Sequence, residues 1–114
     1  MILHELTIDE LTKKLASKEV SSRDAMQACL DRIDNIDNSI NAFISLDREN
    51  ALDQADAADS ALKNGANHND HPLLGVPVSL KDIFCVKNQP ANCASKILGD
   101  FRSPYDGSVV QKLK

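Results

Sequence analysis

Among the ionisable residues, the pair Lys81-Asp82 stands out by position, because an apolar run, "LLGVPVSL", leads straight into it. A lysine amine in a closed, apolar site is pushed towards its neutral form and can then accept a proton as a general base. On a solvated strand end the same residue is only a surface ammonium, the usual state of a lysine. Local sequence does not choose between the two. Asp82 has a similar pair of readings, orienting Lys81 or satisfying amides of the following turn.

Other reactive residues carry weaker patterns. His68-x-x-His71 with Asp70 between them sits in a polar connector flanked by Asn67 and Asn69. It lacks i, i+4 spacing and a third nearby ligand, so a surface loop is expected rather than a metal site. Cys93 in "NCASK" has no recognisable base beside it and reads as a packed thiol. Cys85 and Cys93 have seven residues between them, too many for C-x2–4-C zinc spacing, and Cys29 falls within a helical apolar pattern. Three cysteines with no secretory leader point to reduced thiols and a cytoplasmic protein. No cofactor-binding or metal-binding set is expected in the chain.

The bulk numbers frame this chemistry. A chain of 114 residues, 42% hydrophobic and 26% charged, fits one modest core. A formal charge of −4, with no basic run longer than Lys13-Lys14, argues against a nucleic-acid grip in this segment. No stretch is apolar for long enough to form a membrane helix.

The elements that must position Lys81 follow from periodicity. Thr7 and Glu10 form a capping box for a helix over about 7–17, with Leu6, Ile8, Leu11 and Leu15 as its apolar stripe. Ser21 or Ser22 opens a second helix over about 22–35, burying Ala25, Met26, Cys29, Leu30 and Ile33. "INAFISL" predicts a strand at about 40–46. Asp47 or Arg48 opens a third helix over about 48–64, with Ala51, Leu52, Ala55, Ala58 and Leu62 inward and Gly65 as its left-handed stop. A second strand is predicted at about 74–82, with Val76, Val78 and Leu80 on one face and Pro77, Ser79 and Lys81 on the other. Asp106 is expected to cap a last helix over about 107–114, carrying Val109, Val110 and Leu113. The ending about two turns after that cap suggests a fragment of something longer.

"PLLGVPVSLKD" with "CASKILGDFRSPYDGSVVQKLK" resembles the N-terminal part of the amidase signature family, and in particular the A subunits of tRNA-dependent amidotransferases. The likeness runs along almost the whole chain, from "LTIDELTKKLASKEVSS" through "NAFISL" to "YDGSVVQKLK". It implies an α/β fold: residues 1–114 would be an incomplete N-terminal part of a single α/β/α domain, supplying helices and the first strands of a mixed sheet. It also implies amide hydrolysis by a serine nucleophile, a bridging serine and a lysine base, the last at Lys81. A serine hydroxyl is a weak nucleophile at neutral pH, which is why a base is required.

The Gly/Ser-rich segment carrying both serines in that family does not occur before Lys114, and Ser79, Ser95, Ser103 and Ser108 do not match it. Two local departures are Ile83, where many relatives carry Asn, and Ala91-Asn92 before Cys93, where hydroxyl residues are common. They leave the lysine assignment intact and bear on what surrounds it, Asp82 and Ser95 included. By resemblance the whole protein would release ammonia from glutamine, for a B subunit to convert Glu-tRNA(Gln) to Gln-tRNA(Gln). A C subunit would bridge the two in a heterotrimer, and ATP and magnesium would be used by the B subunit. The alternatives are a stand-alone amidase of the same superfamily and a truncated, non-catalytic binding module.

Overall fold

The computed structural model describes residues 1–114 as two compact units, Met1–Pro77 and Val78–Lys114. In the first, a short 3-10 turn (Leu3–Glu5) precedes three helices: α1 (Ile8–Ala16), α2 (Ser22–Ile40) and α3 (Arg48–Lys63). Helix starts follow local chemistry closely. The Thr7 hydroxyl accepts the Glu10 N–H at 3.2 Å while the Glu10 carboxylate accepts the Thr7 N–H at 2.8 Å. Ser21, of the two serines considered, caps α2 and pairs in the same reciprocal way with Asp24. The Asp47 carboxylate accepts the Asn50 N–H at the start of α3.

The end of α3 is equally local. Gly65 takes φ +99°, the Gly65 N–H reaches the Leu62 carbonyl and the Ala66 N–H reaches the Ala61 carbonyl. That pair of bonds turns the chain back onto carbonyls of the last helical turn.

Leu11, Leu15 and Ala25 form the buried centre of this unit, with Leu6, Leu62 and Val76 packed against it. Burying a leucine such as Leu15, 2% exposed, stabilises by roughly 1.5–3 kcal/mol. Leu30, Ala55 and Ala58 are buried on the facing stripes of α2 and α3, as their spacing requires. Ile8, expected on the core stripe of α1, is instead 55% exposed in the first helical turn.

One long-range contact fixes how α2 begins. Asp59, on α3, accepts the Ser22 N–H at 2.6 Å and the Arg23 N–H at 3.1 Å. These amides belong to the first turn of α2, where they have no intrahelical acceptor and where negative charge is favoured. Arg23 also pairs with Asp56 at 2.5 Å, an exposed contact worth about 0–1 kcal/mol.

Neither expected strand is formed in this chain. α2 continues through Ile40 rather than stopping near residue 35, and Asn41 ends it in the left-handed conformation at φ +55°. Asp37 then takes the Asn41 N–H on its carbonyl and the Ala42 N–H on its carboxylate, so residues 41–47 leave without regular structure. Residues 71–76 form turns, with Val76 N–H bonded to Leu73 C=O, and 76–81 run on unpaired. A strand exists only with a neighbour to complete its ladder, and neither segment finds one here.

The second unit holds α4 (Ser108–Leu113) and a short antiparallel contact centred on Pro90 and Arg102. Asn88 N–H bonds to Ser103 C=O, Ser103 N–H to Gln89 C=O, and Ala91 N–H to Phe101 C=O. No helix of the chain is long and apolar enough to cross a membrane.

Candidate functional site

The Lys81 segment is fastened at its root by a glycine. Gly75 adopts φ +78°, and a Cβ there would sit 3.2 Å from Leu15 Cδ1 and from both Cβ and Oγ of Ser22. The Ser22 hydroxyl, in a residue only 3% exposed, donates to the Gly75 carbonyl at 2.8 Å. Val76 then packs on the core, while Val78 and Leu80 are 52% and 38% exposed.

Lys81 is exposed, and its carbonyl accepts the Phe84 N–H to close a turn. The lysines held in ion pairs are others: Lys13, Lys14 and Lys114. Sequence placed the amine at the end of an apolar run, and the structure keeps that run but surrounds the amine with solvent. Asp82, at the first corner of the turn, is half-buried, and its Oδ2 is enclosed with no hydrogen-bond donor. No amide of the following turn reaches that oxygen. Ile83 is exposed.

The other candidates are dispersed. His68 Nε2 lies 2.9 Å from the Leu74 carbonyl, which can only accept, so Nε2 carries the proton and His68 staples its own connector. His71 is exposed, and Asp70 is tied to Asn67. No group of three metal-binding side chains assembles.

All three cysteine sulfurs are unpaired; Cys93 is exposed, and burial pushes the Cys29 thiol up. Cys93 and Ala94 both occupy left-handed conformations, spanned by Asn92, whose side chain accepts the Ala94 N–H and donates to the Gly99 carbonyl. Ser95 serves the same loop, accepting the Ile97 N–H. Ser103, 1% exposed, turns its hydroxyl onto the Tyr105 carbonyl at 2.6 Å. An open cleft of about 240 Å³ in the first unit lies among Asp34, Asp37, Phe43 and Leu46, beside the Arg48–Asp34 ion pair.

Asp106, expected as the α4 cap, has a different task. Gly107 is the capping residue, with its N–H on the Cys85 carbonyl at 2.8 Å. The Asp106 carboxylate meanwhile accepts the Lys87 N–H at 2.8 Å and the Lys114 ammonium at 2.7 Å. The "DG" of "PYDGS" therefore clamps the chain that follows Lys81 to the start of α4.

The Lys114 hydrogen bond, and then that of the Lys87 amide, hold the Asp106 carboxyl below its ordinary value of 3.8. A depressed carboxylate stabilises the fold above its unfolded value and stops doing so as pH falls through the folded one. Asp106→Asn is therefore expected to lower the urea midpoint at pH 7. The gap to the unmodified chain should close as pH drops below 3.8; a gap independent of pH would show that the charge is not what matters.

Comparison with known proteins supplies what the isolated geometry does not. The amidase family model matches residues 24–114. This chain belongs to the amidase family. The amidase-family chain is also similar, over all 114 residues, to proteins named as the A subunit of glutamyl-tRNA(Gln) amidotransferase. Identity is 49% with that of Geobacter sulfurreducens, 45% with that of Desulfatibacillum aliphaticivorans and 43% with that of Desulforudis audaxviator. The chain spans 23% of the length of these relatives.

Proposed function

We propose that this chain is the N-terminal part of the glutaminase component of a tRNA-dependent amidotransferase, and that Lys81 is its catalytic base. The observation that carries the reading is similarity along all 114 residues, at 43–49% identity, to the corresponding 23% of proteins bearing that component's name. In the complete domain, the strands expected at about 40–46 and 74–82 pair in an α/β/α sheet, and Lys81 is enclosed by the serine-bearing segment. A neutral amine there withdraws a proton through the bridging serine from the nucleophile, which attacks the carboxamide carbon of glutamine. The proton passes to the departing nitrogen as the C–N bond breaks, ammonia leaves, and water hydrolyses the resulting serine ester to glutamate. The B subunit uses the ammonia, with ATP and magnesium, to convert Glu-tRNA(Gln) to Gln-tRNA(Gln). The C subunit holds the assembly together, in the cytoplasm.

The chain of residues 1–114 alone is expected to release no ammonia from glutamine at any pH, because nucleophile, bridging serine and oxyanion donors must act with the base as one unit. The same residues within a full-length protein should copurify with two partner subunits and hydrolyse glutamine. Activity of that protein on small amides without partners would favour a stand-alone amidase instead.

A further inference from the structure

We infer that Ser22 and Asp59 form a latch that positions the segment bearing Lys81, an inference that rests on the base role proposed for Lys81. Three observations on two helices and a turn converge. Asp59 of α3 holds the backbone N–H groups of Ser22 and Arg23 at 2.6 and 3.1 Å. With its backbone so fixed, Ser22 points its hydroxyl at the Gly75 carbonyl, 2.8 Å away. Gly75 lies so close to Ser22 and Leu15 that a Cβ would meet both at 3.2 Å, and its φ of +78° is left-handed.

Ser22 is buried and polar, and both its N–H and its hydroxyl are used in this one junction. A buried hydrogen bond of this kind specifies one geometry, because its loss leaves the Gly75 carbonyl without a donor in a closed environment. Lys81 follows Gly75 by six residues of a segment that makes no ladder of its own. A general base must lie within hydrogen-bond reach of its proton, and small displacements of catalytic groups cost rate steeply. Ser22 and Asp59 are thus positioning residues, acting on Lys81 through the backbone.

The test pairs exchange with kinetics. In the 114-residue chain, Ser22→Ala and Asp59→Ala are expected to speed amide hydrogen exchange at Leu74 and Val76 by about tenfold, and Asp59→Asn, which keeps an acceptor oxygen, should restore part of the protection. In the full-length protein, assembled with its partners, the two alanine variants should lower kcat for glutamine by about ten- to a hundredfold with KM little changed. Thr7→Ala serves as control, since it removes a helix cap elsewhere and should leave kcat alone.

Unchanged exchange at residues 74–76 in Ser22→Ala would overturn the latch. Faster exchange with unchanged kcat would overturn its positioning role while leaving the role of Lys81 standing. An equal fall of kcat in Thr7→Ala would reduce the effect to general destabilisation and overturn it as well. Full turnover in a full-length Lys81→Arg protein would instead remove the reading on which the inference rests.

Discussion

Gly75→Ala is expected to destabilise the chain by about 2–4 kcal/mol, the largest loss of any of the four glycine-to-alanine changes. Two costs add. The backbone at φ +78° is one that L side chains rarely adopt, worth about 1–2 kcal/mol. The new Cβ would also press at 3.2 Å on Leu15 Cδ1 and on two atoms of Ser22, none of which has room to retreat, because both residues are buried. Gly65→Ala separates the two terms: its φ of +99° carries backbone strain, but nothing lies within 4 Å of the new atom. Urea unfolding of both variants should place Gly75→Ala well below Gly65→Ala. Equal losses would mean that the close approach to Ser22 and Leu15 is not a constraint.

Lys81→Ala in the full-length protein is expected to cut glutamine hydrolysis by about 10³-fold or more. The serine hydroxyl loses the group that takes its proton, and the adjacent Asp82 offers no amine in its place. The loss should fall on kcat, because the amine acts on the reacting proton rather than on the binding of glutamine. Ammonia release under saturating glutamine, with the partner subunits present, reads this directly. A variant that kept kcat and raised only KM would make Lys81 a binding residue.

What the sequence disclosed divides by range. The capping box at Thr7–Glu10, a serine cap at Ser21 or Ser22, a helix start at Asp47 or Arg48 and the stop at Gly65 are events within about five residues, and they are legible as spacing alone. The contacts that organise the chain at distance are not. Asp59 capping α2 joins residues 37 apart, and Ser22 reaching Gly75 joins residues 53 apart. The pairing of residues 88–91 with 101–103 likewise has no periodic signature, since Pro90 and the turn at 92–99 hide it.

Asp106 departs from expectation for a related reason. An aspartate before a helix reads as its cap, but the Lys87 amide and the Lys114 ammonium compete for the same carboxylate and win. "INAFISL" misleads in the opposite direction: Ile and Phe favour strands, yet without a neighbouring strand the helix simply runs on to Ile40. Lys81 itself is legible only through resemblance, because apolar approach and terminal charge describe a solvated strand end just as well.

The measurement that tests the central claim most directly is glutamine hydrolysis by a full-length protein carrying Lys81→Arg, assembled with its partners and compared with Lys81→Ala. Arginine preserves positive charge and length but keeps its proton at every accessible pH, so it cannot act as a base. If Lys81 takes a proton from the serine pair, the arginine variant is as inactive as the alanine variant across the whole pH range. Turnover near that of the unmodified enzyme would contradict the assignment and leave Lys81 as no more than a positive charge beside the site.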